Sequence, residues 1–175
     1  GRELSILFTI TNLNEMSEVQ LVKVLGSVFE HSPWVPRKAA RFRPFLSLED
    51  LHKKMVEAVK SATPKEQLNL ILSHPNLGAK SNMSNLSKGE QNSAGIDHLS
   101  LKDYKRFLIA NHDYMNKFGF PFIMAVKGRT KDEIYEAMME RLQNSKSNEL
   151  KRALEEIYQI ALFRLQEMII ITEEV

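Results

Sequence analysis

A histidine set directly against a proline, His74-Pro75, breaks the apolar run around Ile71 and is the first place in the sequence where chemistry could be done. Proline clashes with α geometry in the residue before it, so the helix feeding this stretch should end at or just before His74. A titratable ring at a helix mouth is held by stiff backbone without being covered by a further turn, which suits proton transfer. It also suits a polar residue that merely closes a helix, and the residues alone leave both readings open. A second place is the turn Ser87 to Gln91, with Glu90 three residues after Ser87. A carboxylate there can reach back to the Ser87 N–H as a helix cap, yet Gly89 weakens the helix it sits in, so the turn is costlier than a cap requires.

Two further places carry polar function on apolar surroundings. From Lys117 to Val126, Gly119 closes a helix and the chain continues as apolar, non-helical backbone through Phe122, Ile123, Met124, Ala125 and Val126. Such backbone must find partners for its N–H and C=O groups. It is either a buried connection bonded to neighbouring loops or a pocket wall whose main chain binds a small polar heterocycle. Arg164 follows Ile157 by seven residues and Ala161 by three, which puts a guanidinium on or beside the apolar stripe of the last helix. A charge placed there needs an anionic partner, a structural carboxylate or a ligand, and by itself the spacing favours the carboxylate. The other histidines, His31, His52, His98 and His112, make no ligand spacing, and there is no cysteine, so no metal site is expected.

Helices must position these residues. Tetrapeptides beginning at Ser17, Ser47, Thr63, Ser87, Ser100 and Thr130 each offer a side-chain oxygen to free amide groups, with an acid or amide three residues on; Pro64 adds a proline at a first helical position. Behind most of these starts, apolar residues recur three and four apart: Val19, Val22, Leu25 and Phe29; Leu48, Leu51, Met55 and Val59; Tyr104, Phe107 and Leu108; Ile134, Ala137, Met138 and Leu142. A last helix from about Ser147 to Ile170 carries Leu150, Leu154, Ile157, Ala161, Leu165 and Met168. Alternating strand patterns are absent. The sequence therefore predicts an all-α, single-domain bundle of about seven to eight helices over residues 1–175, with one extended apolar segment at 119–127 and a partly ordered or added start at 1–10.

Composition narrows the partners. With 175 residues, 43% hydrophobic and 26% charged, the chain is long enough for one good core. Its 24 basic and 22 acidic residues are interspersed, which argues against a nucleic-acid surface. The longest purely apolar stretch, Phe120 to Val126, is too short to span a bilayer, and the opening residues lack a secretory pattern. A soluble protein of a reducing, cytoplasmic compartment is expected. The last helix runs out at Val175 as an excised piece of a longer polypeptide would.

Taken together, Gly26 to Trp34, Arg43-Pro44-Phe45, His74 to Gly78, Glu90-Gln91, Ala94-Gly95, Phe118 to Ile123 and Arg164-Leu165 resemble one family. It is that of the OHCU decarboxylases, the 2-oxo-4-hydroxy-4-carboxy-5-ureidoimidazoline decarboxylases of urate degradation. The likeness covers nearly the whole chain in order; the polar stretch between His74 and Glu90 is shorter than in animal members and closer to the bacterial form. The resemblance implies an all-helical, dimeric carboxy-lyase that makes (S)-allantoin without cofactor or metal. It implies that His74 and Glu90 are the catalytic pair, and that Pro75, Ser87, Gln91, the Phe122, Ile123, Met124, Ala125 and Val126 main chain and Arg164 form the substrate pocket. In bacilli the family forms the leading domain of a bifunctional polypeptide with urate oxidase behind it, so a fused or associated urate oxidase is a further expectation.

Two rival classes stand beside this one. A non-catalytic helical module could bind a purine-like metabolite or a partner protein through the same apolar wall and Arg164, and it would need no acid/base pair. A hydrolase of ureido compounds would need an activated water and, most often, metal ligands that the sequence does not offer.

Overall fold

In a computed structural model of the chain, which describes residues 6–77 and 99–171, the Ser and Thr oxygens expected to start helices do so at Ser17, Ser47, Thr63, Ser100 and Thr130. The turn at Ser87 lies outside the described residues. At Thr130 the exchange is reciprocal: Oγ1 accepts from the Glu133 N–H and Glu133 Oε1 accepts from the Thr130 N–H, both at 3.1 Å. Each such cap supplies about 1 kcal/mol by satisfying amides that have no partner inside the helix. Two caps escaped the sequence reading, Thr9, which forms the same box with Asn12, and Ser145, whose Oγ accepts from the Asn148 N–H; so did the helix that starts at Trp34, which no side chain caps.

Among the described residues the chain forms eight helices: α1 (Ile10–Glu15), α2 (Glu18–Leu25), α3 (Trp34–Ala40), α4 (Leu48–Lys60), α5 (Pro64–Leu72), α6 (Leu101–Phe118), α7 (Lys131–Arg141) and α8 (Lys146–Met168). No strand is present among them; one isolated bridge joins Phe8 to Ile169. None of these helices is long and apolar enough to cross a membrane. The all-α expectation holds.

Contacts gather into two compact units, Gly1–Leu70 with Tyr158–Val175 and Ile71–Ile157. In the first unit α2 packs on α3 and α3 on α4. The expected stripe of α4, Leu48, Leu51, Met55 and Val59, is buried throughout. The stripe of α2 is corrected: Val19 is 79% exposed, and Leu21 with Leu25 faces inward instead. β-branched Val19 lies in the first turn, where its three-residue spacing to Val22 reads as a face although it points to solvent. Gly26 ends α2 where a Cβ would come within 2.8 Å of the Val22 carbonyl, so the turn that follows needs glycine at that point.

In the second unit α6 packs against α7. Phe107 is buried as the spacing implied, whereas Leu108, placed with it, is 49% exposed. A cluster of aromatic rings forms the heart of this unit: Tyr114 lies 4.6 Å from Phe118, 5.9 Å from Phe120 and 5.3 Å from Phe122, the last two edge-on. Edge-to-face pairs of this kind add to the burial of the rings themselves.

Candidate active site

The backbone around His74 follows from Pro75. Helix α5 stops at Leu72, and the His74 N–H closes a last turn on the Ile71 carbonyl at 3.1 Å. His74 is 7% exposed, so the ring sits at the helix mouth and is buried as well. Three residues on, the Leu77 carbonyl accepts from Nδ2 of Asn111, a buried residue of α6. The turn is thus held at both ends, by the end of α5 and by an amide on α6.

The apolar stretch after Gly119 is indeed non-helical and buried. Gly119 caps α6 at φ 78°, a left-handed conformation that favours glycine. Phe120, Phe122, Ile123, Ala125 and Val126 are buried, and Met124 is half-buried. Its main chain is gripped by helix side chains: Arg141 Nη1 donates to the Ile123 carbonyl at 2.7 Å, and the Ala125 N–H donates to Glu156 Oε1 at 3.2 Å. The Val126 carbonyl accepts from the Arg129 N–H at 3.0 Å, closing the turn into α7.

Behind this stretch lies a polar cluster that the sequence reading missed. Arg141 Nε donates to Glu149 Oε1 at 2.8 Å, Tyr114 donates to the same oxygen at 2.5 Å, and Asn144 Nδ2 donates to Glu149 Oε2 at 2.9 Å. Glu149 is fully buried and Arg141 nearly so, with its guanidinium 4.3 Å from the centre of the Phe122 ring. Two buried charges are tolerable here because each has a charged partner and further hydrogen bonds. Burial pushes the Tyr114 phenol well above its ordinary value of 10.0, and the hydrogen bond to Glu149 pushes the same way against the pull of Arg141. The signal was present in the sequence: Arg141 follows Met138 by three and Glu149 precedes Ala153 by four, so each sits on an apolar stripe, as Arg164 does.

Helix α6 therefore supports both parts. Asn111 holds the His74 turn, and Tyr114, one turn later on the same face, joins the cluster that holds the stretch after Gly119.

Arg164 belongs to the first unit. Its Nη2 pairs with Glu30 Oε1 at 2.7 Å, and Nη1 donates to the carbonyls of Ser27 and Val28 at 3.2 and 3.4 Å. The carboxylate partner favoured by spacing alone is thus Glu30, in the turn between α2 and α3. Both side chains remain 15% exposed. In that turn His31 adopts φ 44°, an uncommon conformation for a residue with a Cβ, and Ser32 Oγ donates to the Glu30 carbonyl at 2.7 Å. Glu90, Ser87 and Gln91 lie outside the described residues. Among the described residues no group of three or more His, Cys, Asp and Glu is placed to hold a metal ion.

Comparison with known proteins adds four findings. A family model described as OHCU decarboxylase matches residues 14–166. The chain is 48% identical over 163 residues to the uric acid degradation bifunctional protein PucL of Bacillus subtilis, a match covering 93% of this chain and 33% of that protein. It is 41% identical over 159 residues to the 2-oxo-4-hydroxy-4-carboxy-5-ureidoimidazoline decarboxylase of Haloferax volcanii, covering 91% of this chain and 95% of that one. Among solved structures, a crystal structure of (S)-allantoin synthase superposes with a TM-score of 0.76 at 26% identity, covering 92% of this chain and 54% of that chain. The chain thus spans about a third of the bifunctional relative and nearly all of the archaeal one.

Proposed function

The chain belongs to the OHCU decarboxylase family, and from that premise we propose that it is a carboxy-lyase converting 2-oxo-4-hydroxy-4-carboxy-5-ureidoimidazoline to (S)-allantoin without a cofactor. The observation that carries this reading is the Haloferax volcanii protein, nearly all of which this chain spans and whose name is that activity.

The chemistry asks little of the protein. When the C–C bond to the carboxylate breaks, carbon dioxide leaves and the electron pair moves into the ring C=N of the substrate, so the electron sink is the substrate's own. The hydroxyl then gives up its proton as it becomes a carbonyl, and one proton is delivered to the carbon that bears the ureido group. The protein must hold the carboxylate out of the ring plane, handle these two protons and choose one face.

His74 and Glu90 are the acid/base pair in this reading. Its support is the rigid placement of His74, fixed by Pro75 and by the grip of Asn111 on Leu77. Pro75, Ser87, Gln91 and the main chain of Phe122 to Val126 line the pocket, and Arg164 takes the polar or anionic groups of the substrate. The whole of 1–175 acts as one catalytic domain, as a cytoplasmic homodimer, with urate oxidase fused to it or associated with it. Freshly generated substrate tests the activity. The enzyme should accelerate its loss and give allantoin of a single hand, whereas a racemic product formed at the uncatalysed rate refutes the assignment.

A further inference from the structure

We infer that Glu156 and Arg141 are positioning residues that fix which main-chain groups of the 122–126 wall face the ligand; the inference rests on the proposed reading of that wall as part of the substrate pocket. Arg141 takes the Ile123 carbonyl and Glu156 takes the Ala125 N–H. The two groups are two residues apart, which is the repeat of an extended chain. In such a chain the N–H and C=O of one residue point to the same edge, and those of the next residue point to the opposite edge. The Ile123 carbonyl and the Ala125 N–H are thus turned toward α7 and α8, and an extended backbone would turn the polar groups of Phe122 and Met124 the other way. A ureido-substituted imidazoline presents alternating N–H and C=O groups, and the free edge of Phe122 and Met124 offers the complementary alternation.

The two anchors differ in depth. Arg141 is buried and paired with Glu149, so replacing it disturbs the core. Glu156 lies on the flank of α8 with its side chain 14% exposed, 3.6 Å from Arg152. Its removal leaves the aromatic cluster intact and releases one main-chain amide.

Glu156 is accordingly the site of the test. Glu156→Leu removes the acceptor, while Glu156→Gln keeps an oxygen for the Ala125 N–H. Loss of one well-placed hydrogen bond predicts a KM for the ureidoimidazoline raised about tenfold in Glu156→Leu, with kcat held, Tm lowered modestly by the one unsatisfied amide, and Glu156→Gln restoring the wild-type KM. In nitrogen-15 spectra of the unaltered protein, titration with (S)-allantoin should shift the Met124 amide and leave the Ala125 amide in place. An unchanged KM in Glu156→Leu, an equal loss in Glu156→Gln, or a shift of Ala125 without Met124 overturns the inference. A wild-type protein that does not act on the ureidoimidazoline fails the reading of the pocket itself, and takes this inference with it.

Discussion

Arg164 on α8 is bound to Glu30 through one terminal nitrogen and to the carbonyls of Ser27 and Val28 through the other, so a single guanidinium holds the turn between α2 and α3. A fork so committed is rigid, and rigidity is what a ligand-orienting cation needs. Arg164→Met should raise KM by roughly tenfold to a hundredfold, the range for a charge-assisted hydrogen bond. Glu30→Gln keeps an acceptor for the guanidinium and should change KM far less. Steady-state kinetics on both variants decides the point: equal losses would mean that Arg164 serves only to hold the turn.

The buried Tyr114 hydroxyl makes an alkaline prediction. Its pKa is raised in the folded state above the ordinary 10.0, chiefly by burial, so the folded chain keeps a proton that the unfolded chain gives up. The stability this contributes is fully present below pH 10.0 and is lost as pH rises toward the folded value. Tyr114→Phe lacks the donor to Glu149 and should be about 1–3 kcal/mol less stable near neutrality. Urea unfolding of the two proteins across the alkaline range should show that difference shrinking above pH 10.0. A constant difference would mean that the phenol is not desolvated.

Much of this was legible in the sequence because helix starts and stops are local chemistry. Ser17, Ser47, Thr63, Ser100 and Thr130 each cap through a partner three residues away, and Pro75 ends α5 by a clash with its own neighbour. The buried, non-helical stretch after Gly119 was legible too, since an apolar run behind a helix-closing glycine announces itself. The anchors of that stretch were not. Arg141 and Glu149 sit on apolar stripes that hint at burial and Glu156 reads as an ordinary helix charge, but the roles of all three depend on groups 18 to 35 residues away that only the tertiary fold brings near. Val19 misled for the opposite reason, an apolar residue at helical spacing that the fold leaves at the surface.

At Glu90 capping and catalysis make opposite forecasts. Glutamine can still reach back to the Ser87 N–H, and it cannot carry a proton. Glu90→Gln should therefore keep its melting temperature and lose most of its turnover. Retained turnover with a lowered melting temperature would make Glu90 a structural cap.

His74 carries the central claim, and the handedness of the product tests it most directly. Pro75 and the Asn111 grip on Leu77 set the local backbone, so His74→Asn should fold normally, and a positioned acid/base group contributes about 10²–10⁴-fold in rate. The substrate also decays unaided, so a protein that no longer delivers its proton to one face should let racemic allantoin accumulate. The measurement is the circular dichroism of allantoin formed from fresh substrate by wild type and by His74→Asn at matched concentration. The account predicts the (S) signal from wild type and none above background from the variant. Optically pure allantoin formed by His74→Asn at the wild-type rate would contradict it, and His74 would be only the residue that closes a helix.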